Sequence, residues 1–177
     1  MVLLVVDTQE LIVTEALYNY KKFIENVQLL LKKARESQTE VIYIRHDDGT
    51  ELTKDAWGFS IIKEFQPNIG EVIFDKFVNS AFRDTGLVDY LKSKKENQVM
   101  IVGIQTDYCI DATVKCGFEH GFEMIIPRGC NTTVDNEFLT GEQACAYYNE
   151  KMWNNRYGRC VSMDEALYMM QPGSGKR

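Results

Sequence analysis

The stretch VMIVGIQTDYCIDATVKCGFEHG, residues 99–121, predicts a buried strand followed at once by a helix. Its first residues, Val99 to Val102, are apolar and rich in β-branched side chains, as in strands that are buried on both faces. The run ends at a glycine, and Thr106 and Asp107 are residue types that favour a helix N-terminus. Apolar and small side chains then recur at helical spacing from Cys109 onward. We therefore expect Cys109 in or near the first turn of this helix.

The expected position of Cys109 has chemical consequences. The unpaired N–H groups and the positive dipole end of a helix N-terminus stabilise a nearby anion by roughly 0.3–2 kcal/mol. A thiolate is such an anion, so we expect the pKa of this thiol to lie below its ordinary value of about 8.5. The same N–H groups can hold the oxyanion that forms when a thiolate attacks a carbonyl, a contribution of ~3–4 kcal/mol. A lone cysteine after a strand is also commonly a packing residue, so position alone leaves both interpretations open.

Composition narrows the class of protein. The chain has 177 residues, of which 45% are hydrophobic and 26% charged, enough for one well-packed domain that we place at residues 1–170. Its formal net charge of −6 comes without a basic block, so neither nucleic acid nor an anionic membrane is an expected partner. No segment resembles a signal peptide or reaches the ~20 apolar residues of a membrane span. We expect a cytoplasmic protein.

The cysteines show no metal-binding or disulfide pattern. There are five of them, an odd number, and no two have CxxC spacing. In a reducing compartment such cysteines stay free. We therefore expect neither a disulfide framework nor a zinc site, and no cofactor.

The rest of the chain alternates between strand and helix patterns, which indicates an α/β fold with a parallel sheet and helices on both faces. The predicted strands, besides the one already described, are Val2–Val6, Val41–Ile44, Val72–Phe74, Met124–Ile126 and Arg159–Ser162. The predicted helices lie within Thr14–Ser37 and at Thr85–Ser93, Glu137–Trp153 and Asp164–Met170.

The segments between these elements are expected to be polar turns, with one exception. Residues 45–49 (RHDDG) and 131–133 (NTT) have turn composition, and residues 171–177 (QPGSGKR) are expected to form a disordered tail. The exception is Leu52 to Pro67, which is apolar but weakly periodic. We interpret it as part of a pocket wall or as a subunit contact.

Three polar residues directly follow or end predicted strands, and we call them the strand-end trio: Asp7, Lys76 and Cys109. In open parallel sheets the site lies beyond the carboxyl ends of the strands, so these side chains are expected to meet. Asp7 would take the thiol proton as general base, and Lys76 would hold Asp7 ionised. A strand-end ion pair without chemistry fits the same spacing. His46 ends a strand too, but a histidine base has little support.

Three segments carry a family resemblance: VVDTQ around Asp7, FDKFVNSAF around Lys76 and GIQTDYCIDAT around Cys109. They resemble the three signatures of the isochorismatase-like cysteine hydrolase superfamily, which includes nicotinamidases, N-carbamoylsarcosine amidases and isochorismatases. The resemblance extends from Val2 to about Ser162. It implies a three-layer α-β-α fold with a six-stranded, mostly parallel sheet, and a homo-oligomer, either a dimer or a tetramer.

The resemblance also implies a reaction. Cys109 would attack an amide-like carbonyl of a small molecule, an amine would leave, and the resulting thioester would be hydrolysed, with Asp7 and Lys76 completing a catalytic triad. A cis peptide is implied at Ile104–Gln105, with the backbone N–H groups of Gln105 and Cys109 forming the oxyanion hole. Nicotinamidases of the family carry a metal cluster with several histidines after the second strand. Here that region is RHDDG with one histidine, so no metal is expected.

The walls of the substrate pocket follow less directly from the sequence. Residues near the strand ends suggest five contributors, namely Gln9, His46, Trp57, Phe59 and Phe82. Three other functions stay open. One is hydrolysis of an isochorismate-like vinyl ether, in which the aspartate carries the proton chemistry, and the others are non-catalytic binding of a small molecule and thiol redox sensing.

Overall fold

Strand β1, Val2–Val6, lies at the centre of the structure, and all five of its residues are completely buried. The computed structural model describes residues 1–171. The predicted tail at residues 171–177 therefore lies outside the described residues, apart from Gln171. A strand without a polar side chain is stable only where both faces are covered, and helices cover both faces of this one.

Seven strands form one sheet in which every pairing is parallel. They are β1 (Val2–Val6), β2 (Glu40–His46), β3 (Val72–Lys76), β4 (Gln98–Ile104), β5 (Glu123–Pro127), β6 (Asn131–Thr132) and β7 (Arg159–Val161). Six of them run in the order β3-β2-β1-β4-β5-β7, and β6 pairs with the end of β4. The predicted α/β architecture is confirmed, with β6 as a short addition to six strands.

Five α-helices connect or follow the strands: α1 (Tyr20–Glu36), α2 (Leu87–Ser93), α3 (Asp111–Glu119), α4 (Gly141–Ala146) and α5 (Met163–Met169). A π-helical turn, Thr106–Ile110, precedes α3, and a second one, Tyr147–Trp153, follows α4. None of the helices in residues 1–171 is long and apolar enough to cross a bilayer.

Alternate residues of the strands contribute to two separate cores. Leu3 and Val5 of β1 pack with α1 and α5 on one face of the sheet. Val2, Leu4 and Val6 pack on the other face with α2, α3 and the end of the second π-helical turn. This period of two is what a strand buried on both sides requires, and it gives the three layers.

Several element boundaries differ from the predicted ones. The largest difference in the sheet is β2, which continues through Arg45 and His46, two polar residues that we had placed in a turn. The predicted turn at residues 131–133 contains β6. The predicted helix from Glu137 begins only at Gly141, because the Thr140 hydroxyl accepts a hydrogen bond from the Gln143 N–H and caps it there.

The apolar segment from Leu52 to Pro67 packs mainly into its own domain. It contains two 3₁₀ turns, Trp57–Phe59 and Lys63–Phe65, and its apolar side chains Leu52, Phe59, Ile62 and Phe65 are buried. The exception is Trp57, which is 73% exposed. The burial of the other side chains explains why the segment is apolar without the periodicity of a regular element.

The sheet reverses its order between β1 and β4, where the two backbones leave no room for a side chain at one position. Val6 of β1 is in register with Gly103 of β4. Gly103 has a φ of 128°, and a Cβ atom there would lie 2.0 Å from the Val6 carbonyl oxygen. Only glycine fits this position, because both the backbone conformation and the neighbouring strand exclude a side chain.

We expect Gly103→Ala to lower the free energy of unfolding by more than about 3 kcal/mol, measured by urea denaturation. The matched control is Gly70→Ala, since Gly70 has a φ of 92° but no atom within 4 Å of the added Cβ. That variant should lose only the roughly 1–2 kcal/mol of backbone strain. Equal losses in both variants would contradict the steric explanation.

Candidate active site

The structure brings the strand-end trio together in one buried cluster. Asp7 follows β1, Lys76 is the last residue of β3, and Cys109 lies in the π-helical turn after β4. Their exposed fractions are only 1%, 0% and 9%. The parallel sheet therefore delivers a carboxylate, an ammonium and a thiol to the same edge, as the strand-end argument predicts.

The Lys76 ammonium is the centre of this cluster. Its Nζ lies 2.7 Å from Asp7 Oδ2 and 3.2 Å from Cys109 Sγ. A third contact, 2.7 Å long, joins Nζ to His46 Nδ1. An ammonium has three protons, and here each has an acceptor within reach. The positive charge of a completely buried lysine is thus neutralised and hydrogen-bonded at the same time.

Asp7 is poised to accept a proton. Its Oδ2 lies 2.7 Å from the Lys76 ammonium, and the whole side chain is buried. An oxygen of Asp7 and the sulfur of Cys109 lie within 4.8 Å of each other. Burial raises the pKa of Asp7 above its ordinary value, and the charge of Lys76 acts in the opposite direction. Such a carboxylate is a stronger base than an exposed one while Lys76 keeps it ionised.

The Cys109 thiol does not have the low pKa that its helical position suggests. Burial raises its pKa to about 12, the negative charge of Asp7 adds to the increase, and Lys76 opposes it. This direction is opposite to the lowered pKa that the sequence predicts, because the effect of burial is larger than that of the Lys76 charge. A raised pKa favours the neutral thiol at neutral pH, and this thiol lies beside a buried carboxylate.

The backbone just before Cys109 is where the family resemblance places the oxyanion hole. The Ile104–Gln105 peptide bond is cis, at the position that the resemblance implies. Among residues 1–171, no backbone or side-chain acceptor takes a hydrogen bond from the Gln105 N–H. Cys109 follows in the first turn of the helical segment, close to the free N–H groups at its beginning. These two positions are the ones proposed for the oxyanion hole.

Thr106 and Asp107 hold this turn in place, but not as helix caps. The Thr106 hydroxyl donates to Asn131 Oδ1 at 2.8 Å, and the Thr133 hydroxyl donates to Asp107 Oδ1 at 2.6 Å. Asn131 is joined in turn to Asn149 by two reciprocal amide hydrogen bonds of 3.1 and 3.0 Å. Sequence reasoning missed this buried network, since a polar Asn-Thr-Thr segment has the composition of an exposed turn.

Three of the five residues expected in a substrate pocket are buried and make contacts within the domain. Gln9 is buried, and its side-chain oxygen accepts a hydrogen bond from the His46 N–H. Its side-chain nitrogen donates to the carbonyls of His46 and Phe59. Phe59 is buried beneath the Arg45 guanidinium, and Phe82 stacks on Phe122 in the core. Aromatic side chains after strand ends fill the core here, and the glutamine braces β1 against β2.

The other two residues expected in the pocket, Trp57 and His46, differ from each other in position. Trp57 is largely exposed, and His46 contacts Lys76 directly. Asn79, in the loop after β3, places its carboxamide oxygen 3.8 Å from Cys109 Sγ. Its side chain is exposed, which makes Asn79 a polar group beside the nucleophile on the solvent side.

One group of three potential metal-binding side chains lies close together within residues 1–171: Asp7, His46 and Cys109. Their donor atoms are within 4.8 Å of one another. The Lys76 ammonium contacts all three, so a positive charge already neutralises the group. We assign these residues as partners of the lysine and not as metal ligands.

A separate cavity of about 270 Å³ lies near β6 and α4, and none of the strand-end trio lines it. Its polar groups are paired with each other. Arg128 bonds Glu150, with Nε–Oε1 at 2.6 Å, and the Tyr18 hydroxyl donates to Glu142 at 3.1 Å. The candidate site is the cluster around Lys76, where the strand-end trio meets.

Comparison with known proteins identifies relatives of this chain. The isochorismatase domain model matches residues 1–151. The isochorismatase family protein YrdC of Bacillus subtilis is 33% identical over 108 residues, which cover 59% of this chain and 58% of that protein. The ureidoacrylate amidohydrolase RutB of Yersinia enterocolitica is 31% identical over 101 residues, or 57% of this chain and 43% of that protein. The matched regions thus span about half the length of these relatives.

Solved structures show the same fold. A cysteine hydrolase from Pseudomonas syringae pv. phaseolicola superposes with a TM-score of 0.88 at 20% identity, covering 96% of this chain and 91% of that one. The family model extends over most of the described sequence and contains all three residues of the strand-end trio. The chain belongs to the isochorismatase family.

Proposed function

We propose that the protein is a cysteine hydrolase of amide-like C–N bonds in small molecules, with Cys109 as nucleophile, Asp7 as general base and acid, and Lys76 as their electrostatic partner. One observation carries the proposal: a completely buried ammonium lies 2.7 Å from the carboxylate and 3.2 Å from the thiol. The similarity to an amidohydrolase supports the same bond type.

The first half of the reaction follows from the resting protonation states. As the substrate carbonyl approaches, Asp7 takes the proton of the neutral Cys109 thiol and the sulfur forms a bond to the carbonyl carbon. The negative charge moves to the carbonyl oxygen, where the N–H groups of Gln105 and Cys109 stabilise it. The C–N bond then breaks, and the amine leaves with the proton that Asp7 returns.

The second half reverses the proton movement. A water molecule gives a proton to Asp7 and its oxygen attacks the thioester carbon. The C–S bond breaks, the acid product leaves, and the sulfur recovers the proton from Asp7. Lys76 stays charged throughout and stabilises Asp7 in its ionised form, so that each turnover consumes one water and needs no further reactant.

The burial of Cys109 also bears on the alternative functions. A redox-sensing cysteine needs an exposed thiolate, whereas this side chain is 9% exposed and has a raised pKa. A buried carboxylate with a raised pKa would equally suit protonation of a vinyl ether, so that chemistry remains the second candidate within the hydrolases.

We expect Cys109→Ser to lower the rate of amine release by more than about 10³-fold, because the weaker nucleophile cannot form the thioester. The assay is ammonia or amine release from a panel of primary amides and N-carbamoyl compounds. Cys116→Ser is the matched control, since Cys116 lies in α3 away from the cluster and should leave the rate unchanged. Hydrolysis of a vinyl ether by the serine variant, with Asp7→Asn inactive on the same compound, would favour the vinyl-ether chemistry.

The raised pKa of Cys109 predicts slow alkylation of the free enzyme. We expect its iodoacetamide labelling, followed by peptide mass spectrometry, to show a midpoint far above pH 8.5, because the pKa of this thiol is about 12. Asp7→Asn should lower the midpoint, since it removes the charge that raises the pKa, and Lys76→Met should raise it further. A wild-type midpoint at or below 8.5 would refute the neutral resting thiol.

We also propose that the protein forms a dimer or tetramer. Support comes from exposed large apolar side chains, among them Trp57 and Phe77, which are 73% and 71% exposed. Light scattering at micromolar concentration should give a mass at least twice the 20.4 kDa of the chain, and Trp57→Ser should reduce it. A wild-type monomer would disprove the proposal.

A further inference from the structure

We propose that His46 is a positioning residue of the active site, whose unprotonated Nδ1 accepts a hydrogen bond from Lys76 and thereby fixes the ammonium between Asp7 and Cys109. The role of this contact in catalysis rests on the proposed hydrolase function. The existence of the contact does not rest on that function, and the contact and its catalytic role can be tested separately.

The register of two neighbouring strands places His46 next to the lysine. In the parallel pairing of β2 with β3, His46 is the partner of Lys76. Register partners in adjacent strands project from the same face of the sheet. Their side chains accordingly meet, with Nζ and Nδ1 separated by 2.7 Å.

The lysine depends on this acceptor because no solvent can replace it. Lys76 is completely buried, and its three contacts are the Asp7 carboxylate, the Cys109 sulfur and the His46 ring. Asp7 alone would pull the ammonium toward one side. The imidazole supplies a second strong acceptor, and the balance between the two determines how far Nζ lies from the sulfur.

The backbone of His46 is held as firmly as its ring. Its N–H donates to Gln9 Oε1 at 2.7 Å, and its carbonyl accepts from Gln9 Nε2 at 3.0 Å. The next residue, Asp47, donates its N–H to the Lys76 carbonyl at 2.8 Å. These bonds tie the end of β2 to β1 and β3, so the imidazole cannot drift from the ammonium.

An acceptor at Nδ1 requires a neutral imidazole with its proton on Nε2. The charged or titratable groups that face the ring come from the ends of three strands and from the π-helical turn. They are Lys76 at the end of β3, Asp7 after β1, Asp47 and Asp48 after β2, and Cys109 in the turn before α3. Burial and Lys76 lower the pKa of His46, and the three aspartates oppose them. Protonation at acid pH would place two positive groups in contact and break the bond.

The first experiment tests the contact between His46 and Lys76 without any substrate. The chain has two histidines, His46 and His120, so ¹⁵N NMR of the imidazoles resolves each one, and His46→Asn assigns them. We expect His46 to carry its proton on Nε2 and to titrate below the ordinary value of about 6.5. Lys76→Met should move that titration upward by removing the positive neighbour. A ring that is protonated on Nδ1 at neutral pH, or whose titration ignores Lys76→Met, would overturn the proposal.

The second experiment separates positioning from folding. His46→Leu removes the acceptor, whereas the carboxamide of His46→Asn can place an oxygen near the position of Nδ1. On a responsive amide we expect His46→Leu to lower kcat about 10- to 100-fold with a smaller change in KM, because misplacement of a reacting group by about 1 Å costs this much. His46→Asn should recover most of the rate and lose the part of the fall in activity at acid pH that we expect from protonation of His46 in the wild type. His120→Asn is the control and should match the wild type.

The possible failures are distinguishable. If no amide reacts but the NMR data show the bonded Nε2–H form, the hydrolase proposal fails and the His46–Lys76 contact stands. If His46→Leu is as active as the wild type, or if His46→Asn is as impaired as His46→Leu with an unchanged pH profile, His46 is not a positioning residue for this reaction.

Discussion

A charge buried without water controls the architecture of this protein. The Lys76 ammonium is completely inaccessible, and an unpaired charge in such a place costs about 3–5 kcal/mol or more. The fold therefore has to bring acceptors to it from other elements. Asp7 comes from the end of β1, His46 from β2 and Cys109 from the turn after β4. The same requirement that makes the domain stable assembles the groups that can do chemistry.

The parallel sheet makes this convergence possible. All of its strands point the same way, and the order reverses between β1 and β4, so the ends of four neighbouring strands surround one crevice. Gly103 lets β1 and β4 approach without a side chain between them. On the far side of the nucleophile, Thr106 is bonded to Asn131, which fixes the turn to β6. Packing and hydrogen bonds from both sides thus leave the sulfur little freedom.

Much of the fold and of the candidate site could be predicted from the sequence, because the patterns that indicate them are local. Buried strands appear as apolar runs, and the polar residues that end them, Asp7 and Lys76, stand out against those runs. The contact of His46 could not be predicted in this way. Polar composition concealed the last two residues of β2, and register between strands is a property of the sheet. Likewise, Phe59 and Phe82 have the composition of pocket walls, and only the packed structure shows that they belong to the core. The direction of the pKa shift of Cys109 could not be predicted from the sequence either, because it depends on burial, which follows from tertiary packing.

The neutral resting thiol has a consequence for chemical selectivity. Oxidants and alkylating agents react with a thiolate that already exists, whereas a carbonyl can be attacked while the proton is being transferred. A cysteine whose pKa is about 12 and which lies beside a carboxylate favours the second kind of partner. If Cys109 is the proposed nucleophile, its burial and raised pKa protect it from alkylating agents in the free enzyme. Reactivity is supplied by the substrate itself, at the moment when it occupies the site.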